Sequence, residues 1–146
     1  MLYANSFIIL NIKSERIEYK VLEIIKLYNI KNYFFLDSSI PMIINLIKIG
    51  EKNIAIRYSE YESIETVLNF ANKVNYVWVD CFYDYILNNS IFKLLKNNNF
   101  LICIVSPELQ NRELDIIQYI HFLKNEYIDP DFVCTKSKFI DTWENI

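Results

Sequence analysis

The sequence predicts the α/β class: a parallel (βα) repeat of about six units. Three observations predict it. Six short apolar runs, rich in β-branched and aromatic residues, recur along the chain. Each ends on a polar residue, and a helical pattern usually follows. The runs are apolar on both faces, which suits strands covered on both sides. A chain of 146 residues fits one domain. With the strands in sequential order, this repeat reads as a partial TIM barrel, a single (βα) barrel-type domain over residues 1–146.

The runs are Phe7–Ile12, Tyr33–Leu36, Asn53–Ile56, Tyr76–Val79, Phe100–Val105 and Phe132–Cys134. Helices are expected between them. Ser14 caps one to about Tyr28, with Ile17, Val21, Ile24, Ile25 and Tyr28 as its buried stripe. Ser39 precedes Pro41, a residue tolerated in a first turn, and Gly50 is a left-handed stop. Ser59 and Glu62 have capping-box spacing for a helix to about Asn72. Ser90 caps a helix through Lys96, Asn111 caps Arg112–Glu126, and Ser137 caps turns through Trp143. Glu15, Arg16, Glu18 and Lys20 read as a solvated helix face.

Composition bounds the function. The chain is 53% hydrophobic, enough for a sizeable core. A net charge of −3 and no basic, aromatic-interleaved stretch argue against a nucleic-acid surface. No apolar run approaches the ~18 residues of a membrane span. Met1–Leu10 lacks the n-region and cleavage site of a signal peptide, so a cytoplasmic location is expected. Cys81, Cys103 and Cys134 have no metal-ligand spacing and read as reduced core residues. No Gly-rich loop follows any strand, which removes the Rossmann and P-loop fingerprints.

Candidate functional residues stand at the strand ends. In a parallel βα fold these share one rim, where ligands bind. Lys13, Arg57, Asn11 and Ser106 are candidates for binding a substrate or anion. Asp37, Glu60, Asp80 and Glu108 are the acidic rim candidates. The mixture suits an anionic group, with or without a cation, and suits an internal salt-bridge network equally. His121, the sole histidine, falls mid-helix and reads as a surface or packing residue. Tyr61, Tyr83 and Trp78 read as packing residues.

Several strings carry a resemblance. Leu10-Asn11-Ile12-Lys13 resembles the third-strand motif of glycerophosphodiester phosphodiesterase-like proteins, within the phosphatidylinositol-phospholipase-C-like TIM-barrel superfamily. Phe35-Leu36-Asp37-Ser38-Ser39-Ile40-Pro41 and Arg57-Tyr58-Ser59-Glu60-Tyr61-Glu62 are similar to a bacterial subgroup. So are Trp78-Val79-Asp80-Cys81-Phe82, Val105-Ser106-Pro107-Glu108-Leu109 with Arg112, and Cys134-Thr135.

The resemblance implies a phosphoric diester hydrolase fold, a role in lipid metabolism and a divalent cation, Mg or Ca. It also implies that this chain matches only the last six units of a full barrel. The family's His-Arg-Gly, Glu-x-Asp and His-Asp motifs have no counterpart here. Asn11 stands where active members have a metal-binding Glu, Gln110 where the subgroup has His, and Lys136 where it has an acid. The expectation is therefore a phosphodiesterase-like polypeptide that is inactive alone, associating with itself or with an N-terminal partner polypeptide. Two alternatives differ in class. One is a non-catalytic binding module for a phosphorylated or sugar-phosphate ligand. The other is a doubly wound α/β domain with a regulatory role, whose strand order would reverse once.

Overall fold

The computed structural model describes residues 7–144. The reading of Met1–Leu10 as free of a signal peptide rests largely on residues outside that range. Six strands alternate with six α-helices among the described residues: β1 (Ile8–Asn11), α1 (Glu18–Leu27), β2 (Tyr33–Leu36), α2 (Ile40–Lys48), β3 (Ala55–Ser59), α3 (Ile64–Leu68), β4 (Tyr76–Asp80), α4 (Asn89–Asn97), β5 (Leu101–Val105), α5 (Ile116–Asn125), β6 (Phe132–Cys134) and α6 (Ile140–Glu144). The class is α/β, as the sequence predicts.

Every strand pair is parallel, in two sheets: β1-β2 and β3-β4-β5-β6. A single parallel bridge, Phe35 to Ile54, joins the two across the β2–β3 seam. The strands therefore follow chain order. Among the described residues, the single reversal that a doubly wound sheet requires is absent.

The strands are apolar on both faces because both faces are packed. One face meets the helices through a cluster that includes Phe35, Ile56, Val77, Val79, Ile102 and Ile104. The other face carries Phe34, Leu36, Ala55, Tyr76, Trp78, Cys103 and Val105. That second face is curled. Phe7 lies just before β1, yet its ring is 4.8 Å from Phe132 of β6, the outermost strand at the other end. In a flat sheet of six strands the outer two would stand ~24 Å apart, at ~4.8 Å per strand. Phe34 and Tyr76 meet between them with ring centroids 4.8 Å apart and planes tilted by 36°, so aromatic rings fill the concave side.

Several sequence expectations are corrected. β3 starts two residues later than predicted and runs to Ser59, because its pairing with β4 continues through Ser59 and Asp80. Arg57 is thus inside the strand. Ser59 and Glu62 do not cap a helix. The Ser59 hydroxyl accepts from the Tyr61 and Glu62 amides in a tight turn, and Ser63 caps α3 instead. Ser14 does not cap α1. Arg16 adopts φ 67°, which breaks the helical path, and α1 begins at Glu18. Asn88, not Ser90, caps α4, accepting from the Ile91 amide at 3.0 Å. Asn111 takes a left-handed φ of 59° and ends a 3-10 turn over Pro107–Gln110, so α5 starts only at Ile116. A 3-10 turn over Ser137–Phe139 precedes α6. Gly50, at φ 85°, ends α2 as expected.

The stripe predicted for α1 is also corrected. Leu22, Ile25 and Glu18 face the core, while Ile17, Ile24 and Tyr28 are exposed by 36%, 52% and 71%. Glu18 is therefore not part of a solvated face. Its side chain is buried with Oε2 unpaired.

Candidate functional site

The carboxyl ends of the strands carry a line of charged and polar side chains. Residue parity places the inner part of it. Ala55 and Arg57 share one face of β3, and Tyr76, Trp78 and Asp80 share the matching face of β4. Arg57 and Asp80 therefore continue the aromatic face of the sheet beyond its packed layer. Asn11 lies on the same side of β1, paired in register with Leu36.

The Arg57 guanidinium organises the line. Nη1 donates to Asp80 Oδ2 and Nη2 to Asp37 Oδ1, with Nε 3.6 Å from Glu62 Oε1. Lys13 Nζ donates to the second Asp37 oxygen at 2.9 Å. Gln110 Nε2 donates to Asp80 Oδ1. Asp37 reaches both cations by adopting φ 65°, a left-handed conformation that aspartate tolerates better than most residues. Burial alone would raise the Asp37 carboxyl, but hydrogen bonds and attraction from Lys13 and Arg57 outweigh it and hold its pKa below the ordinary value.

The candidates do not all meet. Lys13, Asp37, Arg57 and Asp80 are brought together. Glu108 turns away into a separate buried group: it accepts from the Ser106 hydroxyl, from Thr135 Oγ1 at 2.6 Å and from the Lys136 amide at 2.9 Å. Trp143 Nε1 closes this group on the Ser106 hydroxyl at 2.9 Å. Desolvation is again overcome by these donors, and the Glu108 pKa lies below the ordinary value. Ser106 is fully buried, so it is not an accessible ligand donor in this arrangement. Glu60 serves a loop, accepting from the Phe82, Tyr83 and Asp84 amides at 3.1, 3.0 and 2.9 Å. Its pKa is also lowered, these amides outweighing its desolvation. Asn11 is exposed and makes no side-chain hydrogen bond among the described residues. Tyr61 and Tyr83 are largely exposed and meet edge-on, whereas Trp78 is a core residue.

A crevice of about 380 Å³ opens beside this line, over the β2–β3 seam. Asp37, Ser38, Arg57 and Glu62 give it polar walls; Ile40, Ile43 and Ile56 give it apolar ones. The seam opens because only one bridge joins β2 to β3 there. Sequence reasoning missed Glu62 and Gln110 as rim partners. Spacing pointed Glu62 to a helix cap, and Gln110 joins the rim only because the 3-10 turn carries it back toward Asp80.

The acids do not fit a divalent cation well. Hard cations take several free oxygens, and both oxygens of Asp37 and of Asp80 are engaged by donors. Among the described residues, no group of three or more His, Cys, Asp or Glu side chains is arranged to hold a metal ion. Nor is any helix among them long and apolar enough to cross a membrane. Comparison with known proteins adds no relative: no family model, curated protein or solved structure matches the chain.

Proposed function

We propose that this chain is a barrel-type βα protein of the glycerophosphodiester phosphodiesterase-like kind, which binds a phosphorylated, hydroxyl-bearing ligand at its rim and does not hydrolyse it alone. The observation that carries the reading is the Lys13–Asp37–Arg57–Asp80 line beside the seam crevice. The curled aromatic face supports the partial-barrel part of it.

Arg57 is held by its carboxylates, yet a guanidinium has five N–H donors, and one on each Nη nitrogen remains for a ligand oxygen while Nε faces Glu62 at 3.6 Å. Lys13 is the movable cation, with 71% of its side chain exposed. Turning it from Asp37 to a phosphate costs little, since exposed ion pairs are worth ~0.2–1 kcal/mol. Ser38, Ser39 and Thr66 line the seam crevice and are the proposed partners for ligand hydroxyl groups, while Asn11 stands at the end of β1 outside that lining. Two cations face three carboxylates, so affinity is modest, with a dissociation constant on the order of 1 mM.

Turnover lacks its parts. Phosphodiester hydrolysis needs a base or nucleophile, an acid for the leaving oxygen and charge on the phosphoryl oxygens. His121 lies exposed on α5, away from the strand ends. Asp80 and Glu108 are spent on hydrogen bonds. Calorimetric titration with glycerol 3-phosphate should give saturable binding that Lys13→Ala weakens several-fold, while glycerol gives none. Equal signals from the two compounds would overturn the phosphate assignment.

A second reading has its own observation. Arg57 spans the seam that one backbone bridge holds, so the network is also a structural clamp. If it is only that, Arg57→Met lowers stability and neither Arg57→Met nor Lys13→Ala changes any ligand response.

A further inference from the structure

A second crevice at the rim contains a carboxylate that the fold leaves without a donor. It has a volume of about 280 Å³, and Lys13, Ser14, Glu18, Asp37 and Ser39 are among the residues that line it. Asp37 and Ser39 also line the seam crevice, so the two share that stretch of the rim. Glu18 is the first residue of α1 and is only 1% exposed. Its Oε2 atom is buried and accepts no hydrogen bond. The first turn of a helix favours a negative charge, but it supplies no donor to Oε2 here. A carboxylate taken out of water without a donor is costly. This crevice therefore ends on an acceptor that lacks its partner.

The lining selects the missing group. One lysine stands among the carboxylates of Glu15, Glu18 and Asp37, so the occupant is a cation. Lys13 does not answer Glu18, because its Nζ donates to Asp37. A metal ion needs several free oxygens, and among the described residues no three acids are arranged to hold one. A primary ammonium has three N–H donors and needs only as many acceptors. Glu18 Oε2 is one, and the Ser39 hydroxyl, which caps no helix amide, is another. Ligand binding itself releases the third. When Lys13 turns to a phosphate, the Asp37 oxygen that it held is freed. A quaternary ammonium does not fit. It has no N–H to donate, and among the described residues no aromatic face lines the crevice to take its charge.

We propose, resting on the phosphate reading of the rim, that this crevice is a primary-ammonium subsite anchored by Glu18, so that the ligand is a phosphate ester carrying an amino group. Calorimetric titration compares O-phosphoethanolamine with propyl phosphate, in which a methyl group replaces the ammonium. The ammonium should tighten binding about tenfold, the scale of a hydrogen bond between charged groups. Phosphocholine should bind no tighter than propyl phosphate. Glu18→Gln should bring O-phosphoethanolamine and propyl phosphate to within about twofold of each other, and Ser39→Ala, which removes no cap bond, should cut the preference to about threefold. Propyl phosphate binding as tightly as O-phosphoethanolamine would overturn the subsite and leave the phosphate reading standing. Binding of neither would overturn both. A preference that persists in a Glu18→Gln chain with native circular dichroism, or that phosphocholine shares, would also overturn the subsite.

Discussion

Glu108 shows how a rim residue can be structural. Its carboxylate is almost wholly buried and holds the Ser106 hydroxyl, Thr135 and the Lys136 amide, tying the end of β5 to the end of β6. Glu108→Ala strands those donors, and urea unfolding should show a loss of roughly 2–4 kcal/mol. Acid should act on the same group together with Asp37 and Glu60. All three carboxyls have folded-state pKa values below their ordinary 3.8 to 4.5. Their contribution is full above those ordinary values and is lost as pH falls through the lower folded ones. Stability should therefore hold from neutral pH to about 5 and then fall. A chain with Glu108→Ala should lose less on acidification than the unmodified one. An identical acid profile in both would show that Glu108 is not held as described.

At the scale of elements, the caps are the sharpest point. Asn88 precedes α4 and accepts from the Ile91 amide, whereas the Ser90 of the sequence reading lies within the helix. Asn88→Ala should cost about 1 kcal/mol and Ser90→Ala close to none, read by thermal or urea denaturation. Equal costs would contradict the assignment. The existence of the strands was legible in the sequence because each is a continuous apolar run, and parallel order followed from the missing hairpin signals. Boundaries were less legible where one residue served two roles. Ser59 has the right spacing to Glu62 for a cap, but pairing with β4 carries the strand through it. The α1 stripe misled for a different reason. The helix has two apolar flanks, and periodicity alone does not say which one meets the sheet. Of the site, the strand-end residues were readable one by one. Which of them met was not, because Asp37 turns through a left-handed conformation and Glu108 sits in a 3-10 turn that aims it toward β6.

On the scale of the whole molecule, the two sheets joined at one seam place a crevice next to the only rim cations that share a network among the described residues. The curled second face brings Phe7 to Phe132 at the amino ends of β1 and β6, which a flat sheet would hold apart. Binding at that rim without turnover is the central proposal, and phosphorus NMR of glycerophosphocholine mixed with the purified chain reads both halves together. The diester resonance should broaden or shift with added protein, Lys13→Ala should reverse this, and no monoester resonance should grow in with Mg²⁺ or Ca²⁺ present. An unperturbed diester line, or a monoester line that accumulates with time, would contradict it.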